Sequence, residues 1–485
     1  SVKAPCGDFD HVVVAKVVSC KDHPDSDHMH VTLVDDGSGE LIQVVCGAHN
    51  CREGLKVCFS QIGAHVNGLH IKKAKLRGVE SNGMLCSYKE LGMAEESDGI
   101  IELPEDAPIG MDVHEYFHLD DSIIDVDLTT NRPDCLGIYG IAREAAVLIG
   151  QEFVEKEVPA IKSEITDTMK VTVEDKEACP RYLSRIIRGV NQKAKSPIWM
   201  TERLRRCGIR SVSPIVDVTN YVMLEYSQPL HSFDLNKIHD ELIVRKAHKD
   251  ELLTVLSGEE IKLAENTLVI ADSQGAVGIA GIFGGVNSGI DENTTDVVLE
   301  SAFFSPDAIK GRARQYGLDT DASHRFERGV DHEGQRRAME RATALLLNIA
   351  GGKAGPIHEE VACEYLPKHE PIVLRMSHLK KVLGIDIPVS KVEFILTHLG
   401  MHPKSVEGGF EAVSPSFRFD IAIEEDLIEE VARMYGYDNI PNSVPVSTLD
   451  MVHDTEETVS DRMIQNALVS LGYNEAITYS FTDPQ

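Results

Sequence analysis

The sequence predicts a multidomain α+β protein. The chain has 485 residues, which is too long for one hydrophobic core and suggests about three domains. Short β-branched runs separated by glycine turns occur throughout residues 9–118 and favour a small β-barrel. Strands mix with capped helices in residues 166–365, and residues 366–445 combine short helices with a hairpin. These patterns place a barrel first, a mixed α/β domain second and small domains after it.

Bulk composition excludes several classes of protein. No apolar run approaches the roughly 18 residues of a membrane span, and the first residues lack the apolar core of a signal peptide. Ten cysteines are scattered without a disulfide framework, which fits the reducing cytoplasm. The formal net charge of −30 argues against a surface coated with basic residues, although local basic patches are compatible with it. We therefore expect a cytoplasmic protein without a membrane partner.

A compact basic edge follows the strands of the predicted barrel. Four cations stand against Glu80 in this edge: Lys72, Lys73, Lys75 and Arg77. On charge alone, a solvated loop explains them as well as a nucleic-acid contact does. The nearest group of metal-ligand residue types matches no familiar zinc spacing, and we interpret its members as core residues: Cys46, His49, Cys51 and Cys58.

Residues 119–165 combine a strand, a proline turn and a helix that ends at Gly150. Asp134 is placed to cap this helix, and Arg132 is expected at the surface. Residues 151–165 lose periodicity and are interpreted as a linker.

The stretch Val216–Asp234 carries a polar pair and a histidine. Thr219 and Asn220 fall on a short helix, which Asp217 can cap and Pro229 brings to an end. His231 then lies just past a rigid turn, where its side chain can point into a cleft. The alternative is a capped helix with a satisfied histidine.

Two further features of the central region suggest a site. Residues 276–289 are rich in glycine and include Ala280 and Gly281. They predict either a tight turn or a backbone that approaches a ligand closely. Glu300 lies between apolar residues in the stretch 297–306, so it is expected to be half-buried and to need a partner. The region contains no GxGxxG or Walker pattern, and nucleotide binding is not supported there.

Charge is concentrated at two more places. Residues 181–210 contain nine Lys or Arg and one acid, which makes a plausible phosphate-binding surface. Asp426, Glu429 and Glu430 share one helical face, with Asp420 just upstream. These carboxylates repel one another unless a helix N-terminus, an arginine or a divalent cation offsets them, and a solvated acidic turn is the alternative.

Several strings in the chain resemble the β subunits of bacterial phenylalanyl-tRNA synthetases. They are KLRGVESNGMLCS (Lys75–Ser87), TTNRPDCLGIYGIARE (Thr129–Glu144), the central VTN, PLHSFD, GIAGIFGG and LESAFF, and RFDIAIEEDLIEEVAR (Arg418–Arg433). The resemblance spans essentially the whole chain. It also implies that the chain is a fragment, without the family's N-terminal segment and without most of its C-terminal catalytic-like and anticodon-recognising parts.

The resemblance implies five regions: an OB-type tRNA-binding domain (1–118), a small helical and strand segment with a linker (119–165), an editing domain (166–365), a small α+β domain with an acidic metal cluster (366–445), and a linker with the start of a catalytic-like domain (446–485). The expected fold class is then a multidomain α+β protein with an OB-type β-barrel, a mixed α/β editing domain and winged-helix-like small domains.

The resemblance also implies partners and ligands. Such a subunit binds tRNA(Phe), here through Lys72, Lys73, Lys75 and Arg77. It joins the α subunit in an α2β2 heterotetramer and supports ATP-dependent attachment of phenylalanine, whose active site lies in the α subunit. At the contact with that subunit, Mg²⁺ is expected on Asp420, Asp426, Glu429 and Glu430.

For the editing domain, the resemblance implies hydrolysis of tyrosine wrongly attached to tRNA(Phe). The implied pocket residues are Thr219, Asn220, His231, Ala280, Gly281 and Glu300. A carboxylate that accepts the phenol hydroxyl would favour tyrosine over phenylalanine. Because no Ser-His-Asp set is recognisable, direct attack by water is favoured, and whether His231 is a base or an orienting group stays open. The alternative function is a tRNA-binding scaffold without hydrolytic activity.

Overall fold

The computed structural model of the chain describes residues 1–442, 444, 446–449 and 459–483. These residues fall into two units, Ser1–Tyr435 and Gly436–Gln485. In the part of the chain that is described, no helix is both long enough and apolar enough to cross a bilayer.

Short strands dominate the first 118 residues, and one helix closes them. The elements are β1 (Val2–Lys3), β2 (Val12–Asp22), β3 (His30–Asp35), β4 (Leu41–Cys46), β5 (Lys56–Ser60), β6 (His65–Val66), β7 (Leu69–His70), β8 (Ala74–Leu76), β9 (Val79–Ser81), β10 (Met84–Leu85) and α1 (Val113–Phe117). An antiparallel sheet has the order β10-β5-β2-β3-β4. Hydrogen bonds join the edge strand β4 to the residues that precede the other edge strand, β10. Ser81 Oγ accepts the Val45 N–H at 3.0 Å, and the Gln43 carbonyl oxygen accepts the Asn82 N–H at 2.9 Å. The sheet therefore curls towards a barrel.

The next segment begins with a strand that pairs with the N-terminal strand. Strand β11 (Ile123–Ile124) pairs with β1, and a 3-10 turn (Pro133–Leu136) precedes α2 (Ile138–Leu148). A Cβ on Gly140 would lie 2.1 Å from the Asp134 carbonyl oxygen, so the turn packs on the helix only because glycine is there. The expectation that Arg132 is exposed is wrong. Its guanidinium is buried and donates to Asp134 at 2.8 Å and to Glu144 at 2.6 Å.

Two sheets and a helical layer form the central region. Its strands are β12 (Val171–Val173), β13 (Arg181–Arg188), β14 (Leu230–Asp234), β15 (Leu242–Lys246), β16 (Leu252–Thr254), β17 (Glu260–Lys262), β18 (Leu268–Ala271), β19 (Ala276–Ile279), β20 (Phe283–Gly284), β21 (Val297–Phe303), β22 (Lys353–Ala354) and β23 (His358–Val361). Its helices are α3 (Ile198–Arg206), α4 (Pro214–Tyr226), α5 (Pro306–Ile309), α6 (Arg312–Tyr316), α7 (Asp321–Phe326) and α8 (Gln335–Ala350).

Alternation along the central strands separates two cores. One sheet has the order β12-β15-β18-β19-β20, and the other has the order β14-β21-β13-β22 with β23 also on β13. Tyr182 and Ile186 of β13 pack between the two sheets, while Leu183 and Ile187 face α4 and α8. The second sheet is therefore buried on both faces, which explains why β21 is buried from end to end.

A smaller α+β region completes the first unit. It contains β24 (Ile372–Arg375), α9 (Met376–Leu383), α10 (Val389–His398), β25 (Lys404–Val406), β26 (Gly409–Ala412) and α11 (Glu424–Tyr435). The strands form an antiparallel sheet of order β24-β26-β25. Val147 of α2 belongs to the same buried cluster as Leu427 and Val431 of α11, so α2 packs on this region.

The second unit contains α12 (Asp461–Ser470), whose first turn is capped by the Ser460 side chain. The expected linker lies partly outside the described residues, since residues 443, 445 and 450–458 are not among them. Residues 473–483 adopt no regular strand.

Candidate active site

A cavity lies between the two central sheets, beside the turn that joins α4 to β14. Strands β14 and β21 supply one wall, and the glycine-rich residues 278–284 supply the other. Helix α7 closes one side with Ala322 and Phe326. The full lining is Pro229, Leu230, His231, Phe233, Ile270, Gly278, Ile279, Ala280, Gly281, Ile282, Phe283, Gly284, Glu300, Ala322 and Phe326. The walls are thus apolar except for one histidine and one carboxyl group.

The ladder between β14 and β21 brings these two polar groups together. His231 and Glu300 are direct cross-strand partners, which places their Cβ atoms about 5 Å apart. On the other side of β21, Ser184 of β13 is also directly opposite Glu300. A polar row therefore crosses three adjacent strands of this sheet. The stretch after Pro229 is a strand, so the predicted turn is shorter than expected and His231 follows it immediately.

Glu300 has the partner that its buried position requires. The Tyr182 hydroxyl donates to Glu300 Oε2 at 2.6 Å. Burial raises the pKa of Glu300 to about 7, because loss of hydration outweighs the hydrogen bond from Tyr182. Glu300 Oε1 forms no hydrogen bond within the described residues and remains available to a ligand in the cavity. The carboxyl group is therefore not left wholly unpaired when no phenol is bound.

His231 is neutral at physiological pH. Burial lowers its pKa to about 4 because the apolar surroundings disfavour the imidazolium. Its Nε2 atom is buried and has no hydrogen-bond partner among the described residues. A Cβ on Gly284 would lie 2.8 Å from His231 Cε1, so the absence of a side chain at Gly284 makes room for the imidazole. A ligand in the cavity could satisfy Nε2.

The cavity also has a backbone donor. Gly281 has a φ of +66°, a left-handed conformation that glycine adopts without strain. The N–H groups of Ala280 and Ile282 donate to carbonyl groups, whereas that of Gly281 has no acceptor within the described residues. An N–H group without an acceptor at an apolar wall is suited to stabilise a developing oxyanion.

Thr219 and Asn220 are not brought to this cavity. Both lie on α4, which packs on the opposite face of the sheet. The Thr219 hydroxyl donates to the Val216 carbonyl oxygen of its own helix at 2.9 Å. Asp217, predicted as the helix cap, lies inside the helix and accepts from Ser196 Oγ at 2.6 Å. The actual cap is Ser213, whose side chain accepts from the Val216 N–H.

The four carboxylates predicted to hold Mg²⁺ do not converge. Arg418 donates to Asp420 at 2.8 Å and to Glu430 at 2.7 Å, and Arg433 donates to Glu430 at 2.6 Å. Burial alone would raise the pKa of Glu430, but its two arginines outweigh burial and hold that pKa at about 2. Arginine thus offsets the negative charge on this side of α11, as one of the sequence alternatives allowed.

The other two carboxylates of the set point elsewhere. Asp426 Oδ2 accepts the backbone N–H groups of Ala422 and Ile423 at 2.7 and 2.9 Å, which caps the start of α11. Glu429 is exposed. Within the described residues, the acidic group close enough to share an ion is a different one, Asp134, Cys135 and Glu144, and Arg132 already bonds both of its carboxylates. The predicted magnesium set is therefore not assembled within this chain.

The predicted basic edge is an exposed hairpin of β8 and β9. Its turn residues Arg77 and Gly78 both have positive φ, of 43° and 85°, as the tightest hairpin turns require. All four cations of the edge are exposed. Lys73 pairs with Glu80 at 2.9 Å, while Lys72 forms no ion pair in the described part of the chain. The hairpin keeps a positive face that solvent reaches freely.

The second basic run, residues 181–210, does not form one surface. Arg185 is buried and pairs with Glu340 at 2.8 Å. Arg205 and Arg206 of α3 donate to backbone carbonyl groups of the N-terminal region, including those of Pro5 and Phe117. These three arginines therefore hold parts of the first unit together and are not available to a phosphate-binding surface.

Comparison with known families covers most of the chain. A tRNA binding domain model matches residues 12–112, a B3/4 domain model matches 178–351, and a tRNA synthetase B5 domain model matches 372–437. The phenylalanyl tRNA synthetase β chain CLM domain model matches residues 440–485. The cavity lies within the B3/4 match, and the exposed hairpin lies within the tRNA binding match.

Two relatives that match nearly the whole chain are both phenylalanine–tRNA ligase β subunits. The phenylalanine–tRNA ligase β subunit of Pseudoalteromonas translucida is 54% identical over 98% of this chain, and that of Vibrio cholerae is 53% identical over all of it. The chain belongs to the phenylalanine–tRNA ligase β subunit family. It spans 60% and 61% of the length of these two relatives. An N-terminal fragment of the Pyrococcus horikoshii β subunit is a distant structural neighbour, with 18% identity, a TM-score of 0.32 and coverage of 64% of this chain and 85% of that chain.

Two polar residues of the site were missed by sequence reasoning. Tyr182 and Ser184 lie two positions apart on β13 and so face the same core as Glu300. The signal was present in the string RYLSRIIR, which puts hydroxyl side chains at positions 182 and 184, on the same face of a strand. Strand pairing is what reveals that the Tyr182 hydroxyl bonds the carboxylate of β21 and that Ser184 lies opposite it.

Proposed function

We propose that this chain is the tRNA-binding and editing part of a phenylalanine–tRNA ligase β subunit. Its reaction would be the hydrolysis of tyrosine from mischarged tRNA(Phe). The observation that carries the proposal is the pairing of His231 with Glu300 at the wall of an apolar cavity that is also lined by Gly281, whose N–H has no acceptor among the described residues. A water-orienting group, an acceptor for a phenol and an oxyanion donor are the three parts that this reaction needs.

The hydrolytic step follows from these groups. A water molecule held by His231 Nε2 attacks the ester carbonyl carbon, and the Gly281 N–H stabilises the negative oxygen that forms. The bond to the terminal ribose oxygen then breaks, and that oxygen takes up the proton released by the water. With a pKa of about 4, His231 is a poor proton acceptor at neutral pH, which favours orientation of the water over general-base catalysis.

Selectivity would come from Glu300. A tyrosyl side chain that enters the apolar cavity can donate its phenol O–H to Glu300 Oε1, which no protein group occupies. A phenylalanyl side chain leaves that oxygen desolvated and without a donor. Polar sites of this kind discriminate by factors of about 10⁴ or more in favourable cases. Because Tyr182 already satisfies Oε2, we expect a smaller factor here than for a carboxylate with no partner.

The remaining parts of the function follow the family. We propose that the β8–β9 hairpin contacts the tRNA backbone through its exposed cations, within an OB-type barrel of about residues 1–118. We also propose a cytoplasmic α2β2 assembly with an α subunit that carries ATP-dependent, Mg²⁺-dependent aminoacylation. Any Mg²⁺ held by Asp426 and Glu429 would need ligands beyond those that the described residues bring together.

The deciding experiment measures release of tyrosine from tyrosyl-tRNA(Phe) by this chain, alone and with an α subunit. Phenylalanyl-tRNA(Phe) is the substrate control, and Glu300→Gln and His231→Ala are the test variants. Glu429→Gln is a matched control, because it makes the same change at an exposed carboxylate outside the cavity. We expect hydrolysis of the tyrosyl ester that both test variants weaken. Full activity in both variants would refute the assigned site, and a wild type that binds tRNA without hydrolysis would favour the scaffold.

A further inference from the structure

The strongest unassigned feature of the cavity lies behind its wall. Tyr182 is fully buried on β13 and does not line the cavity. Its hydroxyl is 2.6 Å from Glu300 Oε2, and both side chains face the core between the two sheets. The phenol ring belongs to the apolar cluster, so packing on every side fixes the position of its oxygen.

Tyr182 is the one donor that reaches Glu300 within the described residues. Ser184 lies directly across the ladder from Glu300, yet its Oγ is buried without a hydrogen-bond partner. His231 lies across the other side, and its Nε2 is likewise unpaired. Although three polar groups surround the carboxyl group, its orientation is set by a single hydrogen bond.

We propose that Tyr182 is a positioning residue for selection of the tyrosyl ester: by holding Glu300 Oε2 in the core, it presents Oε1 to the cavity as the acceptor for the substrate phenol. This inference rests on the proposed function. It makes the discrimination between tyrosine and phenylalanine depend on a residue that no substrate touches. Its effect is exerted through the orientation and charge of Glu300.

The groups that face Glu300 define the expected pH dependence. Tyr182 lies on β13, Cys179 lies just before that strand, and His231 lies on β14. Residues 276–284, which form the opposite wall, contain no titratable side chain. Cys179 and Tyr182 remain protonated at neutral pH because burial raises the pKa of each. His231 is neutral above about pH 4. Between pH 5.5 and 8.5, Glu300 is therefore the group of this set that titrates, since its pKa is about 7.

The test variant is Tyr182→Phe, which removes the hydroxyl and keeps the ring. Rates with tyrosyl-tRNA(Phe) and phenylalanyl-tRNA(Phe) are measured from pH 5.5 to 9.5, after subtraction of uncatalysed hydrolysis. In the wild type, the ratio of the two rates should rise with pH through about 7 as Glu300 ionises. Loss of a hydrogen bond to the ionised form should move this midpoint upwards by about 1–2 pH units. At pH 7, the ionised fraction of Glu300 falls from about one half to between about 0.09 and 0.01, so the ratio should fall about 5- to 50-fold.

Two further arms keep the test decisive. Tyr221→Phe is the matched control, since its hydroxyl binds Arg203 on the far side of the sheet, and it should leave the midpoint unchanged. Difluorotyrosine at position 182 keeps the ring and makes the phenol a stronger donor, so it should move the midpoint downwards even if Tyr182→Phe folds poorly. In the Glu300→Gln background, neither change at position 182 should alter the pH profile.

The outcomes separate the inference from the function on which it rests. A wild-type chain without tyrosyl-ester hydrolysis overturns the proposed function, and the positioning role with it. An active wild type whose midpoint is the same in Tyr182→Phe and in the difluorotyrosine protein overturns the positioning role alone. A lower rate with an unmoved midpoint means that Tyr182 only supports the fold.

Discussion

Glu430 offers a stability test that does not depend on any substrate. The residue is only 2% exposed, and Arg418 and Arg433 donate to its carboxylate at 2.7 and 2.6 Å. Glu430→Gln keeps the shape and removes the charge. The pKa of Glu430 is about 2 in the folded chain, against about 4.5 when unfolded, so its ionised form contributes about 3 kcal/mol to the free energy of unfolding. Each arginine retains one carboxylate partner, Asp420 or Glu144, so the loss should not exceed this figure.

The sign of the pH effect follows from the lowered pKa. A carboxylate whose folded pKa is depressed contributes fully above its unfolded pKa and loses that contribution as pH falls towards its folded pKa. The difference between wild type and Glu430→Gln should therefore be constant from pH 8 to about pH 5. By pH 4 it should have narrowed by roughly 1 kcal/mol. The measurement is urea unfolding followed by circular dichroism at each pH.

Glu429→Gln is the matched control, because it changes the neighbouring residue of the same helix at an exposed position. Its free energy of unfolding should stay within about 0.5 kcal/mol of the wild type. If Glu430→Gln destabilises the chain no more than Glu429→Gln does, the arginine pairing of Glu430 contributes nothing and our account of α11 is wrong. A difference that grows as the pH falls would reverse the predicted sign and refute the same reasoning.

Three other outcomes are expected. Gly284→Ala should reduce the rate of tyrosyl-ester hydrolysis about 100-fold, because its Cβ would lie 2.8 Å from His231 Cε1. Gly47→Ala is the control and should leave the rate unchanged, because its Cβ would have only one atom within 4 Å. A rate assay on folded protein checks both variants. Excess EDTA should leave the thermal unfolding midpoint of this chain unchanged, because arginines bond the carboxylate of Glu430 and backbone N–H groups bond that of Asp426. A lowered midpoint would support the predicted magnesium site. Alanine at Lys72, Lys73, Lys75 and Arg77 should weaken tRNA binding and lower its salt slope by up to about 4, while alanine at Lys380, Lys381, Lys391 and Lys404 should not.

The sequence predicted which residues belong to the site better than it predicted how they are arranged. From the residues alone, His231 and Glu300 were identified separately, one as a histidine after a proline turn and the other as a carboxylate inside an apolar run, and only the family resemblance placed them in one pocket. Their pairing depends on the register between β14 and β21, which brings together residues 69 positions apart. Local patterns hold no information on that register, because any strand with the same alternation would be equally compatible.

The charge of a side chain was the least reliable predictor of whether that side chain is buried or exposed. Arg132 was expected in solvent and lies buried between Asp134 and Glu144, because two carboxylates compensate for its lost hydration. Arg205 belongs to the run interpreted as a plausible phosphate-binding surface, and it donates to backbone carbonyl groups of another region. A buried arginine and an exposed one look identical in sequence. Only the position of the partners, which is a property of the tertiary fold, distinguishes them.

The register of β21 also determines which variants can separate catalysis from stability. A shift of one residue along this strand would turn Glu300 towards α4 and α8 and bring Leu299 or Ser301 to the cavity. Because both faces of the sheet are buried, such a shift would place a carboxylate in the helical core without Tyr182 and would destabilise the whole domain. Variants within β21 should therefore lose activity and stability together. Gly284→Ala in the glycine-rich wall differs, because its added Cβ would meet the ends of the His231 and Leu256 side chains, and it should lose activity and keep the fold.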